Sequence, residues 1–159
     1  MHDATIDAGA TARRAGAVRL ARIGLIAVQL LVGVTAIAGG AALVVGALVP
    51  ALSTVLVPPA EYLEGSPFGG YLVPGLLLAA VVGGVHVAAG VLTLRRTRWW
   101  LLAGAVAGFG MLIWIFVQMV VIPFSVLQAV YFVLGIAECG LVMLALGVLR
   151  PHRSGELPA

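Results

Sequence analysis

Lysine is missing from this chain, and charge of either sign is scarce. Its 159 residues hold nine basic and six acidic side chains, 9% charged against 62% hydrophobic. An ordinary soluble domain is about 25% charged. So little polar surface leaves a water-soluble fold nothing with which to cover its exterior, so an integral membrane protein is expected. The net charge of +3 is no nucleic-acid signal, because the arginines sit at the ends of apolar runs rather than along one face. Cysteine is nearly absent. Cys139 stands alone, which excludes an internal disulfide, a dithiol redox pair and a thiolate zinc cluster. Histidine is equally sparse within the apolar runs. His86 has no second histidine to complete a b-type haem site, and one His with one Glu is too few for a metal. No cofactor and no metal is expected. Arginine without lysine, beside so much Ala, Val and Gly, has the look of a GC-rich bacterial coding sequence.

What is present is apolar length. A helix needs about 20 apolar residues to cross the hydrocarbon core. Four runs qualify, at about 23–49, 71–94, 99–122 and 124–149. None contains Arg, Lys or Asp. The fold class read from this is all-α: a polytopic four-transmembrane-helix bundle over 23–149. Pro50, Pro123 and Pro151 are read as closing the first, third and fourth runs. A basic N-terminal segment covers 1–22, its first twelve residues read as a disordered tail, and a short tail covers 151–159. The first run is far longer than a signal-peptide core, and TARRAGAV lacks the rest of a twin-arginine signal, so an uncleaved signal-anchor is expected.

The arginines orient the chain. Arg13, Arg14, Arg19 and Arg22 precede the first run, Arg95, Arg96 and Arg98 lie in the second connection, and Arg150 and Arg153 follow the fourth. Four crossings put all of them on one side, so the positive-inside rule predicts both termini in the cytoplasm. The first seven are expected to meet anionic headgroups. The outer connection at 50–70 is long, carries Glu61 and Glu64, and contains a possible helix start at Pro58-Pro59 and a turn at GSPFGG. A loop of that length either carries something or is a plain spacer.

Small residues should hold the bundle together, because lipid tails leave no hydrophobic drive between helices. Gly104-xxx-Gly108 is the literal motif, and Ala36-xxx-Gly40, Ala42-xxx-Gly46, Ala79-xxx-Gly83 and Ile136-xxx-Gly140 are looser forms. These patterns do not separate packing within one chain from dimerisation.

The polar residues at depth are the candidates for function: Gln29, His86, Gln118, Gln128 and Glu138. At about 1.5 Å of rise per residue, His86 and Glu138 differ in level by only about 5 Å. They can meet if their helices face each other. An ionised acid at the bilayer centre costs about 2.5–3.5 kcal/mol on insertion scales. Glu138 should therefore stay neutral or pair with His86, and should point into the bundle or a dimer interface. It is either a binding or proton-linked group or neutral structural glue. At the outer end, Gln118, Gln128, Tyr131, Trp114 and Tyr71, with Met111, Phe68 and Ser66, are candidates to line a pocket. The alternative is that the two glutamines bond each other or headgroups. Met in a membrane helix is otherwise read as packing.

SPFGGYLVPGLLLAAVVGG, RRTRWW, the LIWIFVQ stretch and LQAVYFVLG together resemble a group of small bacterial four-span membrane proteins, over roughly 66–136. The resemblance implies four spans and a bacterial plasma membrane, and brings no activity with it. In size the chain is also similar to the DoxX-like four-span proteins.

Three functions are compatible with these residues. The first is a non-enzymatic accessory or binding module for a larger membrane complex or a lipophilic ligand, with membrane lipids and a homodimer or larger complex as partners. The second is a proton-coupled transporter working as a homodimer through Glu138. Small multidrug exporters resemble it in layout, although their acid is on the first span. The third, a lipid-modifying enzyme, has least behind it, since no Ser/His/Asp or paired-carboxylate set is visible.

Overall fold

The computed structural model describes residues 2–148. Arg150, Arg153 and the 151–159 tail lie outside the described residues. Helix α1 runs His2–Leu48, 47 residues without a proline. It takes in residues 2–12, which were expected to be a disordered tail. They include four alanines, the strongest helix former, and no proline, with Gly9 the weak position. Pro50 ends α1 and also opens a new helix. It forces Val49 into an extended conformation (φ −116, ψ 97) and then occupies the first turn of α2, Pro50–Leu56. A short 3₁₀ turn follows at Ala60–Leu63, immediately after Pro58-Pro59.

The second long helix is continuous from Leu72 to Leu94, but not uniform. It comprises α3 (Leu72–Leu77), a π-helical turn (Leu78–Gly83) and α4 (Gly84–Leu94). Helix α5 spans Trp100–Val121 and α6 spans Val126–Leu146. Serine starts α6: Ser125 Oγ accepts from the Gln128 N–H, and Gln128 Oε1 accepts from the Ser125 N–H at 2.8 Å. Glycine stops it. Gly147 takes the left-handed conformation (φ 80), and the N–H groups of Gly147 and Val148 close on the carbonyls of Leu144 and Met143. The helix therefore ends at Leu146, before the Arg150-Pro151 pair that was expected to close it.

Among the described residues the fold is all-helical, and four of its helices are long and apolar enough to cross a membrane. Consecutive long helices pack side by side, and α6 returns to pack on α1. The result is a four-helix ring in which α4 and α6 are not adjacent. Glycine sets the closest approaches. A Cβ on Gly40 would stand 2.7 Å from the Cβ of Ala79, and one on Gly33 would stand 3.2 Å from the backbone nitrogen of Val87. The first two long helices therefore pack nearly backbone to backbone. Gly104 and Gly108 face α6 in the same way, against Val142 and Cys139. That motif is consumed inside the chain. Gly140 has nothing near it and Ile136 is exposed, so only that looser pattern faces outward.

The polarity of the bundle is inverted relative to a soluble one. Gln29, His86, Thr93, Gln128 and Glu138 are buried. Ile113, Phe116, Val120 and Val126 are exposed, at 64% or more of their surface. An exterior of that kind needs an apolar solvent around it.

Candidate functional site

Two groups of buried polar side chains are stacked along the bundle. The lower group contains the His–Glu pair. His86 projects from α4 and Glu138 from α6, and they meet across the ring with Nε2 and Oε2 3.3 Å apart. Both side chains are essentially inaccessible. His86 Nδ1 lies 2.7 Å from the Val82 carbonyl. A carbonyl only accepts, so Nδ1 carries a proton and donates it. The 3.3 Å approach lacks hydrogen-bond alignment, so Nε2 and both carboxyl oxygens are left without a bonded partner among the described residues. Val82 lies in the π-helical turn, a form frequent at functional sites.

Beside this pair, Thr93 Oγ1 donates to Gln29 Oε1 at 3.1 Å and also lies 2.8 Å from the Ala89 carbonyl. The Gln29 amide nitrogen has no hydrogen-bond partner among the described residues. Thr93 was not singled out as a polar residue at depth, because threonine is frequent on membrane helices for packing alone. Its spacing of seven from His86 is the signal that both lie on one face.

The upper group surrounds a cavity of about 170 Å³ at the end of the bundle holding the Pro123 turn. Trp114 and Gln118 of α5 and Gln128 and Tyr131 of α6 line it, with Thr35 of α1 and Val82 of the π turn. The two glutamines do not bond each other. Gln128 caps its own helix, and no hydrogen bond of the Gln118 side chain occurs among the described residues. Tyr131 donates to Thr35 Oγ1 at 2.6 Å, and Thr35 donates in turn to the Leu31 carbonyl at 2.7 Å. Two donors remain unused among the described residues: the Trp114 indole nitrogen and the Gln128 amide nitrogen are buried without partners there.

Tyr71 is not in this cavity. Its hydroxyl donates to the Pro59 carbonyl at 2.9 Å and ties the start of the second long helix to the 50–70 loop. Burial raises its phenol above the ordinary value of 10.0, with Tyr62 and Glu61 adding to the shift. Phe68 and Ser66 also stay outside the cavity, where the Phe68 N–H donates to Ser66 Oγ within the loop.

No protein-family model, curated protein or solved structure matches this chain.

The arginines gather at the opposite end. Arg19, Arg22 and Arg96 border one recess with Trp100. Arg98 stacks over the Trp99 ring at 4.7 Å, while Arg13, Arg14 and Arg95 are exposed and do not line that recess. No group of three His, Cys, Asp or Glu side chains suited to a metal occurs among the described residues.

Proposed function

We propose that this protein is a non-enzymatic, membrane-embedded binding module for a small lipophilic molecule carrying a hydrogen-bond acceptor. One observation carries the reading: Trp114 and Gln128, which line the same largely apolar cavity, each hold a buried donor nitrogen without a partner among the described residues. Buried donors are satisfied in nearly all native structures, so an unsatisfied pair calls for an occupant with acceptor oxygens. A dry cavity of about 150 Å³ takes up benzene, which sets the scale for this one. A single ring bearing a carbonyl oxygen has the matching size and chemistry. The membrane is taken to be a bacterial plasma membrane, with both termini and the arginine end in the cytoplasm and the cavity near the outer leaflet.

The test uses para-fluoroacetophenone and fluorobenzene, followed by fluorine NMR on the purified protein in neutral detergent. The ketone should bind saturably and fluorobenzene more weakly. Trp114→Phe should weaken the ketone by about fivefold, the worth of one neutral hydrogen bond, and leave fluorobenzene unchanged. Equal binding of both probes, insensitive to Trp114→Phe, would rule out acceptor recognition.

The buried acid favours a second reading, proton-coupled transport through the same cavity. Val82 lines the cavity and accepts from His86 through its carbonyl, so occupancy can be felt at the pair. Glu138 is wholly buried in its own bundle, which supports a path through one protomer rather than between two. Under this reading Glu138→Gln abolishes pH-driven flux in proteoliposomes while the fold survives. Full retention of flux would eliminate it.

A further inference from the structure

The arginine end of the bundle carries a second site, independent of the ligand cavity. We propose that Arg19, Arg22, Arg96 and Trp100 form a binding site for one phosphate group. They border a recess of about 350 Å³ between α1 and the turn joining α4 to α5, completed by the small side chains of Ala15 and Val18. Three arginines line this recess and no acidic residue does. Among the described residues none of the three is in an ion pair. Like charges gathered in this way repel unless an anion sits among them.

Two further features single out this recess from the basic fringe around it. Arg22 Nε is buried without a hydrogen-bond partner among the described residues. A guanidinium nitrogen withdrawn from water in that way is costly unless it meets an acceptor. Arg96 sits in the left-handed region (φ 51), the only non-glycine residue with positive φ among the described residues. It occupies the turn position that glycine normally takes, and the N–H groups of Arg96 and Thr97 close on Thr93 and Leu92. An L-residue is strained in that conformation. The chain nevertheless puts its longest cation there and turns it to the same recess as Arg19 and Arg22. The planar fork of arginine matches phosphate geometry, and an indole suits the headgroup level. A phosphate group comes either from an anionic lipid headgroup or from solution, and the chemistry of recognition is common to both.

The experiment is calorimetric titration of the full chain in neutral detergent with short-chain phosphatidic acid, short-chain phosphatidylcholine and inorganic phosphate. Phosphatidic acid should bind at one per chain, and phosphatidylcholine at least tenfold more weakly. Arg22→Gln and Arg96→Gln should each lower affinity by about tenfold, the scale of a charge-assisted hydrogen bond. Arg14→Gln, which removes the same charge outside the recess, should leave affinity within about twofold, because exposed charges are screened. Arg19 is exposed, so Arg19→Gln gives the same readout should Arg22→Gln fail to fold. Binding of inorganic phosphate with the same variant pattern assigns the site to a free anion, and binding of the lipid alone assigns it to a headgroup. Both uphold the site. Equal losses in Arg14→Gln and Arg22→Gln, or phosphatidylcholine binding as tightly as phosphatidic acid, would overturn it.

Discussion

His86 and Glu138 hold each other in place, and each is more dangerous to the fold alone than both are together. Removing one partner of a buried pair costs about 3–5 kcal/mol, whereas replacing both with apolar residues is often close to neutral. His86→Leu should therefore destabilise strongly in detergent unfolding, because it strands a carboxyl with no bonded partner. His86→Leu combined with Glu138→Leu should be more stable than His86→Leu alone. A double variant whose loss equals the sum of the two single losses would mean that the two residues are not coupled. Tyr71 makes a smaller contribution. Tyr71→Phe should cost about 1 kcal/mol by removing its bond to Pro59. The folded state holds the Tyr71 proton more tightly than the unfolded chain does, since burial raises the phenol. Its stabilisation is thus complete below about pH 10 and lost as pH climbs above that. Stability that rose with pH through that window would reverse the assignment.

The elements are held apart or together by what their glycines touch. Gly40→Ala should cost about 1–3 kcal/mol by overpacking, since the new methyl lands 2.7 Å from Ala79. Gly140→Ala, on a face with nothing nearby, should be neutral or slightly stabilising. Equal effects of the two would show that α1 does not pack on the second long helix as described. Arg96→Gly should raise stability by about 1 kcal/mol by relieving the left-handed turn, while weakening phosphate binding. Much of this layer is legible in the sequence, because apolar run length and the clustering of arginine need no tertiary information. Rise per residue puts His86 and Glu138 near one level, and the structure brings their side chains to 3.3 Å. Other features leave no trace in composition. The π turn at Leu78–Gly83 has an unremarkable apolar sequence, and nothing about Arg96 announces a left-handed turn. The glycine patterns are ambiguous for a different reason. The same small-residue spacing serves contacts within a chain and between chains, and only the packed bundle tells Gly108 from Gly140. Tyr71 misled because an aromatic at a span end suits a pocket as well as a loop tether.

At the scale of the whole molecule, polarity runs from inside to outside in the reverse of the soluble order. Buried Gln29, His86, Thr93 and Glu138 sit inside a coat of exposed Leu, Val, Ile and Phe. The recess that collects Arg19, Arg22 and Arg96 lies at one end, and the cavity lined by Trp114 and Gln128 lies at the other. Site and threading are thus linked, since the orientation of the chain in the membrane decides which leaflet the cavity is near. Four crossings with the arginine end in the cytoplasm are tested most directly by cysteine labelling in intact cells. The native Cys139 is buried and does not interfere. With a membrane-impermeant maleimide, Glu64→Cys in the 50–70 loop should label from outside, and Thr97→Cys in the arginine turn should label only after permeabilisation. Labelling of Thr97→Cys in sealed cells, with Glu64→Cys protected, would contradict the orientation and the functions built on it.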